Sequence, residues 1–132
     1  MCDIASDIAS EFGSPSAEDR GEMLAAISNA MVRLYKEYFG RGPTRVRTHY
    51  QGDTITCVLR DGFTRAERTL IDADRTTAVL NQRREMQQAV RDEFTSTIEQ
   101  ITGRQVIGFF SDTQKDPDMS VEVFVLAADG DA

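Results

Sequence analysis

The spacing of apolar residues changes three times along this chain, from a helical to a strand period, back, and again, and each long helical stretch is closed by a glycine. Met23, Ile27, Ala30, Met31, Leu34, Tyr35 and Tyr38 recur at the i, i+3, i+4 intervals of one buried helix stripe. Ser16 is placed to cap its start, Glu18, Asp19 and Glu22 sit where the helix dipole favours negative charge, and Gly40 supplies the left-handed stop after Phe39. Beyond Gly40-Arg41-Gly42-Pro43 the period falls to two. Val46, Thr48 and Tyr50 alternate with Arg45, Arg47 and His49, Gln51-Gly52-Asp53 turns the chain, and Ile55, Cys57 and Leu59 line a returning strand, so residues 44–60 read as a hairpin. Thr64 followed by Glu67 is a capping box that opens a short helix carrying Leu70 and Ile71. A second long helix is expected from about Thr76 to Gly103, with Val79, Met86, Val90, Phe94, Ile98 and Ile101 as its stripe. Residues 106–110 and 119–126 are β-prone runs around a turn-rich stretch.

The two halves align at a shift of 63 residues, which sets Met23 on Met86, Ile27 on Val90, Met31 on Phe94, Tyr35 on Ile98, Gly40 on Gly103 and Arg41 on Arg104. Any two amphipathic helices that end in glycine can be aligned in this way, so the pattern alone does not prove a repeat. Taken as one, it predicts an α+β fold of order αββαββ, a cyclic permutation of the ferredoxin-like order, with two long helices on one face of a four-stranded antiparallel sheet. Residues 1–15, small and acidic with Gly13 and Pro15, read as a flexible arm, residues 16–127 as a single domain and residues 128–132 as an acidic tail. Both sides of the last hairpin are apolar, which suggests a homodimer or docking on another subunit; the alternative is that the short helix and the arm cover the second side.

Charge is distributed unevenly over the 132 residues. Residues 1–32 carry one basic residue against six acidic, residues 33–104 thirteen against ten, and residues 105–132 one against six. With a net charge of -7 the chain lacks the cationic footprint of a general nucleic-acid binder. No window reaches the roughly 18–20 apolar residues of a membrane span and the acidic start is unlike a signal peptide, so no membrane insertion and a cytoplasmic location are expected. Cys2 and Cys57 are too few for a disulfide scaffold and are expected to be reduced.

Few residues carry recognisable chemistry. His49 is the single histidine, so no metal site is expected, and phosphate-binding glycine loops and nucleophile elbows are missing from the sequence. Asp112, Asp116 and Asp118 lack the spacing of a calcium loop, and Glu85, Asp92, Glu93 and Glu99 read as wet helix faces. No catalytic residue and no cofactor is assigned. What remains is arginine. Arg41 and Arg104 follow the two long helices, where a cation can simply satisfy helix-end carbonyls. Together with Arg45, Arg47 and His49 on one strand face and Arg60 on the neighbouring strand, they form the candidate ligand-binding set, expected to converge on a small anion or an acidic partner. Arg83 and Arg84 either join this patch or pair with glutamates at helical spacing.

The strings Ser28-Asn29-Ala30-Met31-Val32-Arg33-Leu34-Tyr35-Lys36-Glu37-Tyr38-Phe39-Gly40-Arg41-Gly42-Pro43, Leu59-Arg60-Asp61-Gly62-Phe63-Thr64, Arg91-Asp92-Glu93-Phe94, Gly103-Arg104 and Asp116-Pro117-Asp118-Met119 closely resemble the MpsC family of small bacterial proteins, over roughly residues 19–126. The family's name associates it with a sodium-translocating, membrane-potential-generating system connected with inorganic-carbon supply. Taken with the apolar last hairpin and the lack of a span, this association leads to the expectation of a non-enzymatic cytoplasmic accessory or regulatory protein, dimeric, beside a membrane ion or bicarbonate transport subunit. The alternative expectation is a sensor that holds a small anion or nucleotide phosphate in its arginine cluster.

Overall fold

The structure is a computed structural model that describes residues 17–128. The expected arm at 1–15, Ser16 with its capping role, Cys2, and residues 129–132 of the expected tail lie outside the described residues. Helix α1 (Ala17–Phe39) is followed by strands β1 (Arg45–Gln51) and β2 (Thr54–Arg60), then by helices α2 (Arg65–Asp72), α3 (Thr76–Ala89) and α4 (Arg91–Thr102), and finally by β3 (Val106–Gln114) and β4 (Met119–Leu126). The strands form one antiparallel sheet in the order β1-β2-β4-β3.

The expected αββαββ repeat is thereby corrected: the order is α-β-β-α-α-α-β-β, an α+β fold with a four-stranded antiparallel sheet and four helices among the described residues. One extra helix is α2, the short helix its capping box announces but the αββαββ order leaves out, and the other comes from a division of the second long helix. Asp74 takes a positive φ of 62°, which turns the chain sharply between α2 and α3. Val90, at φ -102° and ψ 13°, then divides what the apolar spacing presented as one helix. Its amide still bonds to the Met86 carbonyl at 2.9 Å and the Phe94 amide to its own carbonyl at 3.2 Å, so the chain bends without losing its helical bonding. That bend lets α3 and α4 both reach β3. By contrast α1 is one unbroken helix of 23 residues, so the halves are not equivalent.

The core lies between the helices and one face of the sheet. Ile27, Met31, Leu34 and Tyr35 of α1 and Phe94 and Ile98 of α4 pack against Ile55, Cys57 and Leu59 of β2, Phe109 of β3 and Phe124 and Leu126 of β4. The strand residues share one phase of the two-residue alternation and the helix residues share one stripe, so the pattern that makes each element also aims it inward.

One buried cation joins the layers. Arg83 of α3, 2% exposed, donates to both carboxylate oxygens of Glu67 at 2.7 and 2.6 Å and to the Gly62 carbonyl at 2.8 Å. Its guanidinium also lies over the rings of Phe39, Phe63 and Tyr35. Glu67 is held ready by its own helix start: the Thr64 amide donates to its side chain at 2.8 Å while its amide donates to the Thr64 hydroxyl at 3.1 Å. Arg83 thus pairs across elements rather than at helical spacing, and Arg84 bonds to Asn81 instead. Burial pushes the Glu67 carboxyl up, but the Arg83 contacts and the Thr64 amide outweigh it and hold the group below its ordinary value. Replacing Arg83 by Met should cost about 3–5 kcal/mol in urea unfolding, because it leaves a desolvated carboxylate and carbonyl behind; the double variant Arg83→Met with Glu67→Leu should recover part of that loss.

Candidate functional site: the bare face of the sheet

The helices pack on one side of the sheet, so its other side is set by strand alternation alone. Pairing register arranges that side in four rows running from β1 through β2 and β4 to β3. The rows are Arg45, Arg60, Met119 and Gln114; Arg47, Val58, Val121 and Asp112; His49, Thr56, Val123 and Phe110; and Gln51, Thr54, Val125 and Gly108. The two middle strands are therefore mainly apolar here, the β1 margin is cationic, and the β3 margin holds Asp112 and Phe110. Phe110 is 64% exposed, and its ring lies over Gly108, where a Cβ would meet it at 3.4 Å. Ile107, in the bulge between Val106 and Gly108, is 63% exposed at the β3 margin. A groove of about 260 Å³ opens on this face between Val58, Val121 and Met119, edged by Asp112 and Gln114.

Of the six residues expected to converge, Arg45, Arg47 and His49 do share this face, and Arg60 stands directly across from Arg45. None of the four enters an ion pair among the described residues. Arg41 stands at the same end of the hairpin as Arg60 but is turned to the loop, donating to the Asp61 carbonyl at 3.1 Å. Arg104 is at the opposite end, about 20 Å away along the strands. There it donates to the Tyr50 hydroxyl at 3.1 Å, the Gly52 carbonyl at 3.3 Å, Asp53 at 2.7 Å and the Ala127 carbonyl at 2.8 Å, tying the first hairpin's turn to the exit of β4. The structure does not bring it to the other five.

Two arrangements escaped the reading of the sequence. At the Arg41 end, Asp118 accepts the amides of Gly62 and Phe63 at 3.2 and 3.1 Å, while the Thr44 hydroxyl bonds to Asp61 at 2.6 Å. Residues from the strings 40–43, 59–64 and 116–119, scattered in sequence, meet in this one loop cluster. Beneath the sheet, Glu122 is fully buried and accepts from the Tyr35 hydroxyl, which in turn accepts from the Gln87 amide at 3.3 Å. Burial pushes the Glu122 carboxyl up to about 7, against the opposing dipoles of Ser111, Tyr35 and Gln87 and the charge of Arg83. Burial and the nearby Glu122 charge likewise raise the Tyr35 phenol. In its own row Glu122 is flanked by Cys57, whose buried thiol is pushed up to about 12. The signal for Glu122 was present: it alternates in phase with Phe124 and Leu126, the core side of β4. Among the described residues no three His, Cys, Asp or Glu side chains gather to hold a metal, and no helix is long and apolar enough to cross a membrane.

A helix layer on one face of a four-stranded antiparallel sheet, with an amphiphilic opposite face, defines a two-layer α+β domain. The chain belongs to the MpsC family: the family model described as "Na+-translocating membrane potential-generating system (MpsC)" matches residues 19–128, most of its length. No curated protein and no solved structure matches the chain.

Two outcomes follow from this geometry. Because the neutral acid is the form suited to burial, Glu122 favours the fold most below its ordinary value of 4.5, and that advantage drains away as pH rises to about 7. Thermal unfolding across this window should show the melting temperature falling with pH, and Glu122→Gln should flatten that fall. Arg104→Ala, which removes contacts to four residues, should cost about 1–3 kcal/mol in urea unfolding, whereas Arg41→Ala, with one exposed contact, should stay within about 0.5 kcal/mol of the parent.

Proposed function

We propose that the chain is a non-enzymatic accessory component of a membrane ion or bicarbonate translocation system, and that it works by binding protein chains rather than by carrying ions itself. The observation that carries this reading is the bare sheet face. It is apolar along its middle, cationic along one margin, and free of any helix among the described residues. The family description supplies the kind of system served. A cytoplasmic homodimer that in turn meets a membrane transport subunit fits both. Shallow amphiphilic faces of this kind recognise surfaces, whereas small substrates are held in deep pockets with converging polar groups. In cells deleted for the protein, the sodium-dependent part of the membrane potential, read with a potential-sensitive dye, should fall and be restored by the intact chain. An unchanged sodium-dependent potential would remove this reading.

A second reading is favoured by one observation, the cations Arg45, Arg47 and Arg60 at one margin, which enter no ion pair among the described residues. Guanidinium forks suit a carboxylate or phosphate, as in a sensor for bicarbonate, phosphate or a nucleotide. Calorimetric titration of the purified chain with each of these anions should then give saturable binding. The double variant Arg45→Ala with Arg47→Ala should weaken it at least about tenfold without moving the melting temperature, since exposed arginines contribute little to stability.

A further inference from the structure

From the register of the sheet we infer that the bare face binds a second copy of this chain, with the two-fold axis running parallel to the strands, so that Arg47 of each copy meets Asp112 of the other. This rests on the reading of the face as a protein-binding surface and names what binds there.

A two-fold dimer of stacked sheets has its axis in the plane between them, and with the strands of the two sheets roughly aligned the axis runs either along them or across them. An axis across the strands would lay β1 on β1 and bring Arg45, Arg47 and His49 of both copies together, a concentration of like charge with nothing to offset it. An axis along the strands instead lays β1 of one copy over β3 of the other and β2 over β4, and it keeps each row at its own height. Arg45 then faces Gln114, Arg47 faces Asp112 and His49 faces the ring of Phe110. Between these margins Val58 lies over Val121, and Thr56 over Val123. The Arg47 and His49 rows find complements in their own counterparts, while Arg60 lies over Met119 and Gln51 over Gly108, so of the two orientations this one pairs the opposite charges.

Three further observations agree. Asp112 is exposed and outside any ion pair among the described residues; its Oδ1 accepts only the neighbouring Thr113 amide, at 2.9 Å. The groove between Val58, Val121 and Met119 borders Asp112 on the path by which an arginine of the facing β1 would reach it, giving the aliphatic stem an apolar bed. Phe110, exposed on the opposite margin of the same face, gains cover from the second copy. The face measures roughly 15 by 20 Å, smaller than a permanent dimer buries, so the association depends on concentration.

Sedimentation of the full chain from micromolar to near-millimolar concentration tests this. The parent should pass from monomer to dimer across that range. Arg47→Glu and Asp112→Arg should each weaken the association at least about tenfold, with unchanged melting temperatures, and the two changes combined should restore it to within about threefold of the parent. A combined variant no tighter than the single ones overturns the arrangement. A parent that stays monomeric at every concentration overturns the dimer itself and leaves the face to residues 1–16, whose Asp3, Asp7 and Glu11 would then supply the anions, or to a different chain. Neither result touches the accessory role, which stands or falls with the sodium-dependent potential: a dimer without effect on that potential would refute the role and leave the arrangement intact.

Discussion

Arg83 is the point at which this fold is fastened. A guanidinium removed from water must replace its whole hydration shell, and it does so here with the Glu67 carboxylate, the Gly62 carbonyl and the faces of three aromatic rings. Those partners come from α1, from the loop after β2 and from α2, so satisfying one side chain fixes the mutual position of three segments. The same demand explains α2. That helix is short and has no buried residue of its own, yet its capping box presents Glu67 at the one place where α3 needs an anion. Burial energy assembles the α1–sheet–α4 layers; the arginine decides how α2 and α3 are seated against them.

With the helices so placed, the sheet is covered on one side only, and its two faces have unusual chemistry. The covered side carries a polar row of Thr48, Cys57, Glu122 and Ser111 across all four strands, while the row above it on the bare side carries Val58 and Val121 between Arg47 and Asp112. From the helices Tyr35, itself bonded by Gln87, reaches Glu122, and Ser28 reaches Thr48, while Glu122 Oε1 and Ser111 Oγ find no hydrogen-bond partner among the described residues. An apolar stripe outside is tolerable when something else covers it.

What could be read from the sequence was whatever is decided within a few residues. The capping box Thr64–Glu67, the first hairpin and the shared face of Arg45, Arg47 and His49 each depend on neighbours at fixed offsets, and each is as the spacing indicated. The division at Val90 was not legible, because no glycine or proline marks it and the apolar stripe runs through it unbroken; only the folded chain shows both segments seated against β3. The reading of Arg104 failed for a related reason. Assuming a repeat placed it beside Arg41, whereas the chain carries it to the far end of the hairpin, where the Asp53 carboxylate and two carbonyls receive it. Arg83 and Glu122 were hidden by the convention that charged residues face water; their phase within the helix and strand argued otherwise.

The seam between β2 and β4 joins residues 54–60 to residues 119–125, whereas the other two strand pairs are local hairpins. A ribosome therefore delivers the sheet's second central strand last among the described elements. Until β4 emerges, the inner edge of β2 has no partner, and the core residues of α1 and α4 lack Phe124 and Leu126 to pack against. The rate of productive folding should thus depend on one long loop closure late in synthesis.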